Sequence, residues 1–287
     1  IAFANNDNFN GPQTAGNDVR IYATGIKNGF SMLFHTNGLL YVIDNGPTAG
    51  LGKISTGCNT DGVEPASIDK LNIVEEGRYY GHPNRARGTK DDRQCRFRWF
   101  YEPNDGYFTP PISMIASSMN GIVEYTANTF GGKMRGQLIV SRLNGELWHL
   151  AISDDGRTVY NQYVVSPFGG LNMVMNSDGS LISADYYNNF LTVVKPVEAE
   201  RTDLYVVSVF PTRGVIAGGS HWTIRGYQFA TGATVTLGGK PCPVTSTAAK
   251  KLKCTIPSGA AGQLADLVVT SNGQSYTLNR AYRYMNI

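Results

Sequence analysis

Residues 44–58, DNGPTAGLGKISTGC, are the first place where residue types and spacing suggest chemistry: a glycine-rich turn ending in Gly-Lys follows the apolar run Leu39 to Ile43. A phosphate-cradling loop needs Gly, four residues, then Gly-Lys and Ser or Thr, entering a helix whose first amides hold the anion. Here five residues separate Gly46 from Gly52, Ile54 stands at the hydroxyl position, and Pro65 with its polar surroundings offers no helix. The stretch fails as a nucleotide site on all three counts.

The remaining chemistry-bearing residues are few. Cys58, Cys95, Cys242 and Cys254 are even in number and lie in loop-rich surroundings, the pattern of two disulfides in an oxidising compartment. A zinc site is the rival use, but no pair has Cys-x-x-Cys spacing and His82 is the one histidine nearby. His35 and His149 sit inside strand patterns and read as packed or channel-facing, His82 as a structural loop residue and His221 as surface. Asp61 and Asp69 would suit a second calcium, although a solvated acidic loop is the default. Trp148, Tyr186 and Tyr187 could stack on a sugar, against a default of core or cross-strand packing.

Composition limits the function classes. Of 287 residues 41% are hydrophobic and 16% charged, enough for one large or two ordinary globular domains. The net charge of +3 comes from 25 basic and 22 acidic residues spread along the chain. The densest basic cluster (Arg85, Arg87, Lys90, Arg93, Arg96 and Arg98) is broken by Asp91 and Asp92, so it reads as a solvated loop, and no dedicated nucleic-acid surface is expected. No apolar stretch approaches the roughly 20 residues that span a bilayer. The start, IAFANNDNFNG, lacks an initiator Met and both parts of a signal peptide, the expectation being a processed or truncated amino terminus. No Asn-x-Ser/Thr sequon occurs, so glycosylation does not bear on secretion.

The elements that must position these residues are strands. No 12-residue window shows helical apolar spacing free of breakers. Short strand-like runs recur instead: Val19 to Thr24, Ser31 to His35, Leu39 to Ile43, Lys70 to Val74, Gly121 to Tyr125, Gln137 to Ser141, Glu146 to Ile152, Val159 to Val165, Leu171 to Met175, Ser180 to Asp185 and Phe190 to Lys195. Turns such as Asn37-Gly38, Asn144-Gly145, Asp155-Gly156 and Asp178-Gly179 bound them. The phrases NGLLYVID, NGELWHLAI and DGSLISAD repeat one pattern, as blades of a propeller do by reusing a hairpin. A charged stretch at Glu198 to Asp203 marks a domain junction. After it come about seven short alternating strand candidates, the length of one Ig-like sandwich. The expected architecture is all-β: domain 1–199, an incomplete propeller of about four blades, then domain 200–287.

Three segments, GIKNGFSMLFHTNGLLYVIDNGP (25–47), IDKLNIVEEGRYYGHPN (68–84) and MNSDGSLISADYYNN (175–189), resemble the glucose/sorbosone dehydrogenase family over roughly residues 18–195. The resemblance implies a six-bladed-type propeller holding pyrroloquinoline quinone (PQQ) and calcium at one end of its channel. Gly46 and Pro47 match the pair whose carbonyls bind calcium, a use suited to a hard cation. Asn28 matches the Asn beside the cofactor, and Lys27 stands where the family has a cofactor-contacting Arg. A Lys cannot make the same forked contact with quinone carboxylates. Gly169 and Leu171 occupy the places of two further arginines, and Arg142 is the one substitute for a family lysine. The histidine base belongs to a blade preceding residue 1, so sugar oxidation has no base from the expected place.

The second domain resembles an IPT/TIG module through VFPTRGVIAGGSHWTIRGYQF, VTLGGKPCPV, KLKCTIP and LVVTSNGQSYTLNRAYRYM, about residues 205–285. That resemblance implies a Cys242–Cys254 disulfide, which leaves Cys58 for Cys95. The functional expectation is a non-catalytic extracellular or cell-surface unit for adhesion, assembly or carbohydrate or protein binding. Calcium is admitted, PQQ is not expected, and a partner or the rest of the polypeptide completes the ring. The alternative is a PQQ- and calcium-dependent sugar dehydrogenase whose other blades lie outside this chain.

Overall fold

The structure, a computed structural model, describes residues 21–46, 68–81, 109–197 and 201–286. Three antiparallel sheets follow one another. The first contains β1 (Gly29–Phe34), β2 (Leu40–Asp44), β3 (Asp69–Ile73) and β4 (Ser113–Ile115) in that order. The second contains β5 (Met119–Tyr125), β6 (Gln137–Arg142), β7 (Leu147–Ile152) and β8 (Val159–Ser166), again in chain order. The third contains β9 (Met173–Met175), β10 (Leu181–Asp185) and β11 (Phe190–Val194).

The described residues thus hold three such sheets, against an expectation of about four for the whole of 1–199. Residues 21–24, read as the end of a strand, contribute only a parallel bridge from Thr24 to Tyr79. β4 was not anticipated, since three residues after Pro110-Pro111 are too few to show alternation.

Alternation explains how the sheets stack. Leu138, Val140, Leu150 and Ile152 of the second sheet pack with Tyr41, Ile43, Leu71 and Ile73 of the first. The opposite face offers Ile139 and Leu147 to Met173 and Leu181 of the third. A sheet buried on both faces by its neighbours is the packing of consecutive propeller blades. The first strands of the three sheets are neighbours, β1 against β5 and β5 against β9, as strands lining a common axis must be. Gly121 makes the second approach feasible: a Cβ there would stand 2.6 Å from Asn172 Oδ1 and 2.9 Å from Met173 N.

Residues 204–286 form two sheets. One runs β12 (Tyr205–Phe210), β14 (His221–Tyr227), β18 (Lys251–Thr255), β17 (Val244–Ala248). The other runs β13 (Arg213–Val215), β20 (Gln274–Met285), β19 (Leu264–Ser271), β15 (Thr234–Leu237), β16 (Lys240–Pro241). Buried residues alternate along β14 and β19, and Trp222, Ile224, Leu252, Leu267, Val269 and Tyr282 close one core between the sheets. This is an Ig-like sandwich. Cys242 and Cys254 are disulfide-bonded inside it, their Cα atoms 5.6 Å apart. Cys58 and Cys95 lie outside the described residues.

Candidate functional site

The strands give the blades two ends. Lys27, Asn28 and Gly46 flank β1 and β2 at one end, where Arg142, Gly169, Leu171, Tyr186 and Tyr187 also fall by strand direction. The 35–39 turn and the starts of β6, β8 and β10 lie at the other end. The sequence-predicted residues therefore do gather.

Asp44 and Asp69 organise this end. Asp44 Oδ1 accepts the backbone N–H groups of Lys27 (3.0 Å) and Asn28 (2.9 Å). Asp69 Oδ1 accepts Gly46 N (2.8 Å), and its Oδ2 accepts Asn45 Nδ2 (2.7 Å) and Met119 N (2.8 Å). Asn45 Nδ2 also donates to Met119 O, and Asn28 Nδ2 donates to Asn45 Oδ1 at 3.0 Å. Both carboxylates are buried, so the expected solvated acidic loop is corrected at Asp69: the residue begins β3 and ties the first blade to the second. Burial pushes its carboxyl above the usual range, opposed by the Gly46 and Met119 amides. Pro47, Asp61, His82 and the basic cluster at 85–98 lie outside the described residues.

Arg142 donates from Nε to Ser117 O (2.9 Å) and from Nη1 to Glu146 Oε2 (2.9 Å), which also accepts Trp148 Nε1. Those two donors, indole first, hold the Glu146 carboxyl below its ordinary range. Gly169 has no room for a larger residue: a Cβ there would stand 2.5 Å from Glu146 O, a backbone atom. Gly170 is tighter still, 1.9 Å from Ala184 O. Tyr186 and Tyr187 depart from the packing default, being 60% and 64% exposed in the β10–β11 turn, edge to face with each other.

A quinone needs cationic forks for its carboxylates, and calcium needs unengaged oxygens. Here Arg142 is spent on Ser117 and Glu146, the Asn28 amide on Asn45, and the Asp44 and Asp69 oxygens named above accept N–H groups. These side chains are thus engaged within the protein. Among the described residues no three His, Cys, Asp or Glu side chains are grouped to hold a metal ion.

The Ig-like module sits at the opposite end, a placement the sequence did not signal because its partners are far apart in the chain. Asn128 N donates to Val207 O (2.6 Å), and Asn128 Nδ2 to Tyr276 Oη (2.6 Å). Arg135 donates to the carbonyls of Asn279 (2.7 Å) and Arg280 (3.1 Å), and Arg283 Nη1 to Thr36 O (3.0 Å). Gly38, at φ +93°, is needed there: a Cβ would meet Arg283 Nη2 at 2.7 Å.

Between blades and module lies a cavity of about 130 Å³ lined by His35, Thr36, Glu124, Arg135 and Arg280. His35 Nδ1 accepts Asn37 N (2.9 Å), so its proton is on Nε2, which donates to Gly136 O (3.1 Å). Desolvation holds the His35 pKa below its ordinary value, with Glu124, 3.5 Å away, opposing. Glu124 Oε2 accepts Thr36 N at 2.9 Å. These bonds are internal and structural. His35 and His149 are buried and His221 is exposed, as read from their strand positions.

Comparison with known proteins agrees with this division. The family model for glucose/sorbosone dehydrogenase matches residues 3–183, and that for the IPT/TIG domain matches residues 204–284. Fibrocystin-L of Mus musculus is 42% identical over 72 residues, covering 25% of this chain and 2% of that protein. Plexin-2 of Caenorhabditis briggsae is 32% identical over 96 residues, covering 30% of this chain and 5% of that protein. The chain thus spans a small fraction of the length of these relatives. A structure of the full extracellular region of plexin A4 aligns over 94% of this chain and 28% of its own, at 13% identity and a TM-score of 0.28. Through residues 3–183, which carry the first two sheets and the Lys27 to Asp69 network, the chain belongs to the glucose/sorbosone dehydrogenase family, and an IPT/TIG domain follows.

Proposed function

We propose that this chain is a non-catalytic extracellular or cell-surface unit, in which dehydrogenase-type blades serve as a scaffold for an Ig-like interaction module. One observation carries the reading: at the end of the blades where the family resemblance puts the cofactor, Gly169 has no space for an arginine, and the Asp69 carboxylate is taken up by internal bonds. The disulfide in the module supports an oxidising compartment. Among the described residues no helix is long and apolar enough to cross a membrane. The outer faces of the first and third sheets expose Met32 (63%), Val174 (59%) and Leu191 (69%), apolar positions that blades from a partner or from the same polypeptide would cover.

The family match favours one alternative, a PQQ- and calcium-dependent sugar dehydrogenase with Lys27 and Asn28 at the quinone and Gly46 and Pro47 at calcium. It needs a general base within hydrogen-bond reach of the sugar hydroxyl. Titrating the calcium-loaded protein with PQQ, followed by quinone absorbance and dye-linked oxidation of a sugar panel, separates the two. The non-catalytic reading expects no uptake and no turnover, and stoichiometric uptake overturns it.

A further inference from the structure

The charges of this chain are unevenly divided. Residues 204–287 hold eight lysines and arginines against a single carboxylate side chain, Asp266, whereas residues 1–203 hold 17 against 21. Charge asymmetry of this size between domains points to an anionic partner for the basic one. The fold then concentrates part of that charge on one face of the module.

In β14 the alternation buries Trp222, Ile224 and Gly226 and leaves Thr223, Arg225 and Tyr227 on the outer face. In β18 it buries Leu252 and Cys254 and leaves Lys251 and Lys253 outside. The register sets Arg225 directly opposite Lys251, and Thr223 opposite Lys253. Like charges facing across a strand pair, with Cβ atoms about 5 Å apart, destabilise a sheet. Neither cation has an ion-pair partner among the described residues, so nothing there offsets the repulsion.

This face runs into a cleft of about 250 Å³ between module and blades. Among the described residues Arg225, Tyr227 and Lys250 line it from the module and Lys195 from the blades, with Asp178 as the one carboxylate. Asp178 Oδ1 already accepts the Ser180 amide (2.9 Å) and hydroxyl (2.5 Å).

We propose that this face binds a sulfated polysaccharide, its sulfates meeting Lys253, Lys251 and Arg225 in sequence and entering the cleft between Lys250 and Lys195. The assignment rests on the extracellular reading above. Three observations favour sulfated sugar over other polyanions. Lys250 Nζ lies 5.3 Å from the centre of the Tyr227 ring, so a cation covers the cleft's one aromatic platform, and stacked bases need such a platform free. The strand neighbours of the cations are hydroxyl-bearing or small, Thr223, Ser246 and Ala248, and exposed Phe210 stands opposite Thr223 at the end of β12 rather than among the cations, whereas protein interfaces concentrate apolar and aromatic residues at their centre. The disulfide also suits an oxidising exterior rather than a compartment holding nucleic acid.

The test uses the full chain on immobilised heparin, with dissociation constants measured at physiological salt. The triple variant Arg225→Ala, Lys250→Ala, Lys251→Ala is expected to bind about tenfold or more weakly, from three solvent-exposed charge contacts. The charge-matched control Lys133→Ala, Arg157→Ala, Lys240→Ala, three exposed cations on other surfaces, is expected to stay within about twofold. Circular dichroism and the thermal midpoint verify that both variants fold, which exposed side chains permit. Equal weakening by the control overturns the proposal, and so does equal binding of desulfated heparin or of duplex DNA. Absence of heparin binding also overturns it, while leaving the non-catalytic reading to the quinone titration.

Discussion

The change Asp69→Ala tests whether the blade end is a structural clasp. Its carboxylate satisfies two backbone amides, Gly46 N and Met119 N, and one side-chain amide, Asn45 Nδ2, in a buried setting. Leaving a buried donor unsatisfied costs about 1–3 kcal/mol. Asn45 Nδ2 keeps Met119 O as an acceptor, so its share is the smallest. The expected loss is about 3–6 kcal/mol, a large part of the roughly 5–15 kcal/mol that keeps a domain folded. With a urea dependence of about 2 kcal/mol per molar, the midpoint of the blade transition falls by about 1.5–3 M. Far-UV circular dichroism in a urea series reads this, and Asp69→Asn, which keeps one acceptor oxygen, should fall between variant and parent. Added calcium is expected to leave every midpoint unmoved. A loss below about 1 kcal/mol would refute the clasp by showing that water replaces the carboxylate. A calcium-dependent rise in the parent that Asp69→Ala abolishes would show that its oxygens serve a cation.

Three further outcomes follow from particular contacts. Gly169→Arg, which restores the side chain that the resemblance implies, should lower stability by about 1–3 kcal/mol by overpacking against Glu146 O and confer no quinone uptake, read by urea titration and quinone absorbance. Cys242→Ser should destabilise the module by about 3 kcal/mol, since the bond joins residues 12 apart, and thermal unfolding with and without reductant measures it. His35 and His149 have pKa values held down by burial, so the unfolded chain takes up their protons first. Their contribution is fully present above about pH 6.5 and lost as pH falls through the lowered folded values, and the pair His35→Gln, His149→Gln should flatten the pH dependence of the thermal midpoint below pH 6.5.

Much of the fold was legible because strands announce themselves locally. Alternation in HWTIRGY gives β14 its buried and exposed faces, and Asn-Gly and Asp-Gly pairs mark the hairpin turns within the blades. β4 escaped because three residues show no period. At the site the residue types were legible and their roles were not. Asp69 read as a solvated acid, since sequence does not show that Met119, fifty residues on, brings it a backbone amide. Gly169 read as a missing arginine, whereas its position against Glu146 O makes glycine a packing requirement.

The same distinction separates retained geometry from retained chemistry. A blade scaffold tolerates loss of a cofactor when the polar groups that faced it find partners within the protein, because unsatisfied buried donors are costly whatever their former use. The Asp44 and Asp69 carboxylates are satisfied in this way, each accepting backbone amides at that end of the blades. The basic face of the module is not: Arg225 and Lys251 confront each other across a strand pair with no carboxylate opposite among the described residues. An internally balanced end is finished as structure, whereas a charge imbalance kept at a cost to the sheet leaves free energy for something outside the chain to supply. On the proposed reading the function belongs on the module, which the blades hold through Asn128, Arg135 and the Thr36 carbonyl.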